Sequence, residues 1–307
     1  MSRPTPRGFA LLTVMWVLVA TAAVTTVAVT GGRAHFNAAR NRITSERAHW
    51  RADDCLQRAR FAIDTLLKAD PHPAAPTIVW QTLDAGMTSM EYLFPADCSI
   101  SLEAAGTRLD INAATSEQLS ALLAMAAPAG TSEAVVQALL DWRDTDDVLR
   151  ANGAEHPWYE AANRPPPRNG ALASLEELQW VRGWEASAQL AGLLTVEPGR
   201  ISLATAAPTV LMTVPGITDE AAEALLQRRL AGRPVREIIE ILPALSRTAA
   251  DTLLAAFQSI VALTVAEPDA WIVTSRVVLG EPAITTISEI RLVREDRRAV
   301  ETRRRVW

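Results

Sequence analysis

The chain has 307 residues, a formal net charge of −5 and a hydrophobic content of 49%. This length exceeds one ordinary small domain, so it predicts two domains or one elaborated domain with a sizeable core. The acidic balance excludes a protein whose whole surface binds phosphate groups, because non-specific nucleic-acid binding depends on positive charge. The sequence has no nucleophile elbow, Walker loop or zincin motif, so it predicts no enzyme and no catalytic residue.

The segment from Phe9 to Gly32 contains no charged residue. A helix of this length crosses the roughly 30 Å hydrocarbon core of a bilayer. A cleaved secretory signal has a shorter apolar region followed by a small-residue cleavage site, and Ala20–Ala22 fits that alternative. The segment therefore predicts a membrane helix, with a cleaved signal as the alternative.

The next part of the chain, residues 34–68, contains no Gly or Pro and alternates apolar with charged positions. This pattern predicts that the first helix continues as an amphipathic helix beyond the membrane. Three prolines between Asp70 and Pro76 end it, because proline removes a backbone donor. The apolar residues near helical spacing are Phe36, Ala39, Ile43, Trp50, Leu56, Ile63 and Leu67.

Two groups of short segments have the alternation and β-branched content of strands. The first group comprises residues 77–80, 90–94 and 98–103. The second follows Pro268 and comprises residues 271–279, 283–293 and 303–307. Helical segments lie between the two groups, so the sequence predicts an α+β fold in which a helical insertion interrupts a small sheet.

The helical insertion contains an internal repeat. Residues 109–119 align with residues 201–211, and residues 131–134 resemble residues 218–221. The helices that follow end near Arg143 and Arg229, and both copies finish in Leu-Thr-Val. The sequence of each copy predicts three or four short helices.

The short basic leader ends in Arg7-Gly8-Phe9, and one helix runs from there through the membrane and beyond it. This combination resembles the type IV pilin and pseudopilin family, whose leader is cut by a prepilin peptidase. The resemblance implies cleavage between Gly8 and Phe9 and N-methylation of Phe9. Family members usually carry Glu at the fifth mature residue, where this sequence has Thr13. A carboxylate in the bilayer needs a cationic partner, which in this family is the N-terminal amine of the neighbouring subunit. A subunit that has no subunit above it lacks this partner.

Among pseudopilins, the K-type subunit of the type II secretion system lacks that Glu and carries a large helical insertion. The sequence is similar to this K-type family (general secretion pathway protein K) across nearly its whole length. The most distinctive stretch is Leu140-Asp-Trp-Arg-Asp-Thr-Asp-Asp147, followed by Asn152–Glu155, Tyr159 and Ala161–Pro165.

The resemblance implies a domain order and a set of partners. The expected order is a leader (1–8), a transmembrane part (9–32), the rest of the helix with the first strands (33–108), a helical domain (109–265) and returning strands (266–307). The helical domain is expected to contain a SAM-like or helix-hairpin-helix-like repeat in copies 109–196 and 201–265. The expected partners are pseudopilins, above all the minor types I and J, with prepilin peptidase, and the tip position also suggests secreted substrates or the secretin. The expected location is the bacterial inner membrane, with a single pass and a periplasmic body.

The arginines flanking the apolar segment oppose this topology. Arg33, Arg40, Arg42, Arg47 and Arg51 follow it, whereas only Arg3 and Arg7 precede it. A positive-inside count alone therefore places the C-terminal body in the cytoplasm. The leader and the long helix favour the periplasm.

Carboxylates are concentrated after residue 140, where they predict a metal site. Oxygen ligands on an irregular loop suit Ca²⁺, although the register of an EF-hand is absent. Members of the resembled family bind calcium in the helical domain, which favours this interpretation over a solvated acidic loop. The predicted ligands are Asp144, Asp146, Asp147 and Glu155, with Asp141 in the same acidic stretch, and no other cofactor is expected.

Cys55 and Cys98 are the only cysteines. An even count suits one disulfide if this part of the chain lies in an oxidising compartment. Two buried small hydrophobic residues explain the pair as well, so the sequence leaves both interpretations open.

A membrane-anchored DNA receptor is the main alternative function. Val214-Pro-Gly-Ile resembles the turn of a helix-hairpin-helix motif, which offers backbone N–H groups to phosphate. Thr218 replaces the second Gly of that motif, and Asp219 and Glu220 place negative charge where phosphate would lie. These departures predict that nucleic acid is not bound. A secreted helical binding protein is a third alternative, which leaves the long helix unexplained.

Overall fold

The computed structural model describes residues 7–69, 87, 93–125, 132–233, 235–268, 270–295 and 298–306. The α-helices in these ranges are α1 (Arg7–Ala69), α2 (Ser116–Ala124), α3 (Ser132–Arg143), α4 (His156–Ala161), α5 (Pro208–Leu211), α6 (Asp219–Leu230), α7 (Arg247–Ala255) and α8 (Phe257–Leu263). Three 3₁₀ helices span Leu175–Trp180, Trp184–Leu193 and Ile238–Ala244. The strands are β1 (Cys98–Ala104), β2 (Leu109–Asp110), β3 (Leu194–Thr195), β4 (Ile201–Ser202), β5 (Thr264–Val265), β6 (Ala270–Leu279), β7 (Ile284–Glu295) and β8 (Arg298–Val306).

Helix α1 is a single helix of 63 residues that ends at Ala69, directly before the proline-rich stretch. The prediction of one long helix is confirmed. The threonines in its apolar half direct their hydroxyls to the preceding turn, as Thr21 does to the Val17 carbonyl at 2.9 Å and Thr26 to the Ala22 carbonyl at 2.7 Å. These bonds satisfy polar groups that a bilayer core cannot hydrate. By length and composition α1 qualifies as a membrane-crossing helix.

Strands β1, β6, β7 and β8 form an antiparallel sheet in that order. The predicted strands near residues 98, 271, 283 and 303 all belong to this sheet, and the predicted α+β fold is confirmed. Residues 77–80 and 90–92 lie outside the described residues. Leu93 and Phe94 form an irregular turn before Pro95, which cannot donate to a strand ladder.

The outer half of α1 packs across one face of this sheet through two hydrophobic clusters. Ala48, Ala52 and Cys55 contact Val277, and the last turns of α1 form the second cluster. The members of that second cluster include Leu56, Ala59, Ile63, Leu67, Ala104, Trp271, Val273, Ile290 and Leu292. Since Ala104 and Trp271 lie beside the C-terminal end of α1, the chain leaves and re-enters the sheet at the end farthest from the apolar half of α1.

The helical insertion between β1 and β6 has its own core, which contains most of its buried aliphatic and aromatic side chains. Two parallel strand pairs divide it. β2 pairs with β3, and β4 pairs with β5, so two residues of the Leu-Thr-Val in each repeat copy return beside the strand that begins that copy. A parallel pair of this kind needs a long crossover, which the helices of each copy supply.

The two copies share an arginine that binds the backbone of its own copy. Arg143 donates to the carbonyls of Ile111 and Ala114. Arg229 donates to the carbonyls of Leu203 and Ala206, at 2.8 and 2.7 Å. Burial lowers the pKa of Arg229 to about 10. These shared contacts make Arg143 equivalent to Arg229. This alignment of the two helices differs by one residue from the alignment that pairs Thr131 with Thr218.

A buried carboxylate joins the helical insertion to the sheet. Glu197 lies between β3 and β4 and is almost fully buried. Arg303 of β8 pairs with it, Arg305 of β8 donates to it at 3.1 Å, and Arg291 of β7 lies 3.9 Å away. Arg291 also donates to the Pro198 carbonyl at 2.8 Å. These contacts fix the orientation of the insertion on the sheet.

Replacing Glu197 with Gln is expected to lower the free energy of unfolding by about 1–3 kcal/mol. The variant leaves three arginines around a neutral amide, which destabilises the folded state. The arginines are partly exposed to solvent, and this limits the loss of stability. Urea titration of the purified chain measures the change. The matched control is Glu185→Gln, which removes the exposed pair with Arg164 and is expected to cost less than about 1 kcal/mol. Equal effects of the two variants would contradict the joining role of Glu197.

Candidate functional site

The acidic stretch folds into one cluster at the end of α3. Asp141 lies in the last turn of α3, Asp144 directly follows that helix, and Glu155 immediately precedes α4. One carboxylate oxygen from each lies within 4.8 Å of the others. The loop between the two helices returns through Gly153, where a Cβ atom would lie 1.9 Å from Oδ2 of Asp141. Glycine is therefore required at this position for the loop to approach α3.

Several oxygens of this cluster are buried without a hydrogen-bond partner among the described residues. Glu155 is 3% exposed, and neither of its carboxylate oxygens has a partner. Oδ1 of Asp144 is in the same state. Arg150 donates to the carboxylates of Asp141 and Asp144, which leaves Glu155 without a charge partner. A charged group that is buried without a partner costs on the order of several kcal/mol of stability.

The electrostatics of Glu155 reflect this environment. Burial, followed by the charges of Asp141 and Asp144 and those of Asp147 and Asp146, raises the pKa of Glu155 to about 7. A cation placed among these carboxylates would remove the repulsion and satisfy the free oxygens.

The structure distributes the predicted metal ligands between this cluster and its rim. Asp144 and Glu155 lie in the cluster together with Asp141, which the predicted ligand set did not include. Asp146 is exposed and accepts from the Val148 N–H at 2.9 Å. Asp147 is exposed and accepts from the Asn169 side chain at 2.8 Å. The rim carboxylates contribute negative charge, and their oxygens are engaged in holding the loop.

The chemistry of this donor set fits a hard divalent cation. The free atoms are carboxylate oxygens of Glu155 and Asp144 and the buried, unpartnered amide oxygen of Asn169. Carboxylate and amide oxygens are the ligands that Ca²⁺ takes in proteins, in flexible geometries. Asp141, Asp144 and Glu155 would hold such an ion.

Aromatic side chains anchor the acidic loop to the core of the insertion. Tyr159 is fully buried, and edge-to-face contacts join it to Trp142 at 5.1 Å and Trp158 at 5.0 Å between ring centroids. Arg164 and Arg182 lie over the Trp158 ring. The aromatic residues are thus engaged in packing.

The remaining site predictions fall on α1 and β1. Gly8 and Phe9 lie within α1, and their side chains are outside the described part of the structure. Cys55 of α1 faces Cys98 of β1 as a disulfide pair with a Cα–Cα distance of 6.7 Å. This separation lies within the range of disulfides. The pair would join the long helix to the first strand of the sheet.

Polar groups in the segment that resembles a DNA-binding turn are engaged within the fold. Gly216 has φ +89° and packs against α7, and Thr218 caps α6 by accepting from the Ala221 N–H. The carboxylate of Glu220 accepts from both the N–H and the hydroxyl of Ser246. Negative charge is therefore fixed where a phosphate would bind.

Comparisons with known proteins agree with this fold and these features. Residues 100–199 match the family model described as type II secretion system (T2SS), protein K. A chain of the crystal structure of the GspK-GspI-GspJ complex from the enterotoxigenic Escherichia coli Type 2 Secretion System superposes with a TM-score of 0.65 and 18% sequence identity. The superposition covers 88% of this chain and 99% of that chain. No curated protein matches the sequence.

A long N-terminal helix laid on an antiparallel sheet, with a helical body inserted between its first two strands, defines a pilin-like α+β fold, which is shared with the matched chain of the GspK-GspI-GspJ complex. The match to the family model covers residues 100–199, about a third of the chain, and shows that this part is similar to protein K of the type II secretion system. This family is a structural component of the secretion system and is not an enzyme family. The alternative of a DNA-binding membrane protein is not supported.

Proposed function

We propose that the chain caps the tip of the pseudopilus together with minor pseudopilins of types I and J, and thereby starts its assembly for protein export across the outer membrane. One observation carries this proposal. The helical insertion leaves the sheet at Ala104 and returns at Ala270, at the end farthest from the apolar half of α1. A body of this size at that end obstructs the stacking of a further subunit.

The outer half of α1 supplies a surface for neighbouring helices. Phe36, Ile43 and Trp50 are exposed, and they recur every seven residues. They face away from the side of α1 that buries Ala48 and Ala52 against the sheet. Apolar residues with a seven-residue spacing suit left-handed helix–helix packing. The matched crystal structure is of a complex of GspK with GspI and GspJ, which supports types I and J as the partners.

Replacing Trp50 with Ala is expected to lower co-purification of the full chain with type I and type J pseudopilins by about tenfold or more, since interface tryptophans are frequent binding hot spots. Trp50 is 75% exposed, so the fold should be unaffected. Affinity purification from detergent-solubilised membranes measures the effect. Asn41→Ala, at an exposed position on the opposite side of α1 from Trp50, is the control. Co-purification that is unchanged by Trp50→Ala would contradict the assignment of this surface, and its absence in the wild type would contradict the proposed assembly.

We also propose a membrane position and a processing step for the chain. The apolar half of α1 anchors it in the bacterial inner membrane, and the body lies in the periplasm. Prepilin peptidase cuts between Gly8 and Phe9, and Phe9 is methylated. Thr13 stands in place of the usual Glu, and this supports the tip position. A subunit at the tip has no subunit above it to supply a cation for a carboxylate at this position.

Calcium and a disulfide complete the proposed mature state. Ca²⁺ binds at Asp141, Asp144 and Glu155, as the free buried oxygens of the cluster favour. Cys55 and Cys98 form a disulfide, which the oxidising periplasm permits. Both stabilise the periplasmic body and take no part in chemical catalysis.

A further inference from the structure

The two copies of the repeat differ in the partner of the arginine that precedes their first strand. Arg108 directly precedes β2, and Arg200 directly precedes β4. Two nitrogens of the Arg108 guanidinium donate to the two carboxylate oxygens of Glu103, each at 2.7 Å. Arg200 is exposed, and in the described part of the chain no acceptor binds its guanidinium. The second copy therefore has the arginine without the carboxylate.

A further arginine lies in the second copy where the first copy has an alanine. The Arg236 N–H donates to the Glu240 side chain at 2.9 Å, and the Ala173 N–H donates to the Glu177 side chain at 2.8 Å. These shared contacts make Arg236 equivalent to Ala173. Arg236 is exposed, and its guanidinium has no hydrogen bond or ion pair among the described residues. The change from Ala to Arg adds a second unpaired positive charge.

Both unpaired arginines line one groove, which has a volume of about 510 Å³. Glu237 is the one carboxylate in the described lining, and it forms no ion pair with either arginine there. The apolar residues of the lining include Leu203, Ile238, Phe257, Val261 and Val265. The groove thus combines an excess of positive charge with an apolar surface.

The first copy shows what binds at the equivalent position. Leu194 pairs with the first residue of β2, and Thr264 pairs with the first residue of β4. Arg108 donates to the Leu194 carbonyl at 3.3 Å while it binds Glu103. Arg200 and Thr264, their counterparts, line the same groove. The groove therefore corresponds to the place where the first copy binds a carboxylate.

We infer that this groove binds an acidic segment of a partner protein, in the way that Arg108 binds Glu103. The segment would place an Asp or Glu side chain beside Arg200 and Arg236, and an adjacent apolar side chain against the apolar lining. The paired N–H groups of a guanidinium match the two oxygens of a carboxylate. Charge complementarity favours an acidic segment over a basic one. The inference rests on contacts within the helical insertion and does not require the proposed assembly.

Site-specific photo-crosslinking tests this inference on the full chain, in cells that contain a complete secretion system. Gln258→p-benzoylphenylalanine places the photoreactive group at an exposed position in the groove. The expected result is an adduct with another protein, mapped by mass spectrometry to a segment with Asp or Glu beside an apolar residue. Combining Arg200→Glu with Arg236→Glu is expected to lower the adduct yield on the order of tenfold by like-charge repulsion. Arg247→Glu, at an exposed position on α7 outside the described lining, should leave the yield unchanged.

A charge exchange tests the contact itself. Replacing the mapped Asp or Glu of the partner with Arg should lower the adduct yield with the native groove. The same partner variant should restore the yield with the chain that carries Arg200→Glu and Arg236→Glu, because opposite charges then meet again.

Other outcomes overturn the inference. These are no protein adduct, an adduct with a second copy of this chain, an adduct on a segment without a carboxylate, a yield that the two arginine substitutions do not change, or a charge exchange without restoration. Urea titration should show unchanged stability for Arg200→Glu with Arg236→Glu, since both arginines are exposed and unpaired in the described structure. Loss of co-purification with type I and type J pseudopilins in the wild type, with the adduct retained, would remove only the proposed function.

Discussion

Replacing Trp271 with Ala is expected to lower the free energy of unfolding by about 3–5 kcal/mol, the range for a fully buried large aromatic residue. Trp271 is 1% exposed and lies on β6 opposite Ala104, within the cluster formed by the last turns of α1. The indole N–H has no partner in the described structure, so the loss comes from packing. The cavity would separate α1 from the sheet at the point where the helical insertion begins.

Urea titration of the purified full chain, followed by tryptophan fluorescence, measures this loss. Trp50→Ala is the matched control, because it removes the same side chain from an exposed position on α1 and is expected to change the free energy of unfolding by less than about 0.5 kcal/mol. The two tryptophan variants should therefore separate stability from assembly. Equal destabilisation by both variants would mean that α1 does not pack on the sheet as described.

Removing calcium is expected to destabilise the wild-type chain. At a calcium concentration of about one hundred times Kd, binding to the folded state alone stabilises it by about 2.7 kcal/mol. Glu155→Gln should abolish most of this response, because it removes a charged oxygen donor from the cluster. Differential scanning calorimetry with calcium and with a chelator measures both effects. The control is Glu160→Gln on the exposed side of α4, which should keep the full response.

The pH dependence in chelator gives an independent test of the same cluster. The pKa of Glu155 rises from an ordinary value of 4.5 to about 7 in the folded state. The folded state then binds more protons than the unfolded state between these values, so stability falls as pH rises through this window. Glu155→Gln mimics the protonated form, and above pH 7 in chelator it should be more stable than the wild type. A variant that is less stable than the wild type under these conditions would contradict the account of the cluster.

Much of the fold follows from local sequence patterns. The proline-rich stretch after Ala69 ends α1, the alternation in residues 284–295 gives β7, and the repeated Leu-Thr-Val gives β3 and β5. These features depend on backbone donors and side-chain periodicity, which a single sequence displays. The repeat also predicts equivalent positions for Arg143 and Arg229, although only the structure shows the carbonyls to which they donate.

The features that a single sequence did not reveal depend on distant contacts. Helical spacing in the sequence groups the apolar residues of the outer half of α1 into one set, but in the structure Phe36, Ile43 and Trp50 are exposed and Leu56 and Ile63 are buried. Only the position of the sheet on α1 separates them. Glu197 meets arginines about one hundred residues later in the chain, as their contacts in the structure show.

The acidic cluster illustrates the same limit. Closeness in the sequence favours Asp144, Asp146 and Asp147 as metal ligands. In the structure, Asp141 lies one helical turn before Asp144 and on the same face. Gly153 then brings Glu155 to this face. Helical spacing continued through Asp144 favours Asp141, and not Asp146, as a metal ligand on the same face as Asp144.

The central claim is that the chain is a minor pseudopilin processed and assembled by the type II secretion pathway. The most direct measurement is the intact mass of the membrane-extracted chain from cells with and without prepilin peptidase, before and after reduction and alkylation. The account predicts a peptidase-dependent mature form that starts at Phe9, carries one methyl group and contains one disulfide. A retained leader in the presence of the peptidase, or cleavage near Ala22, would contradict the account.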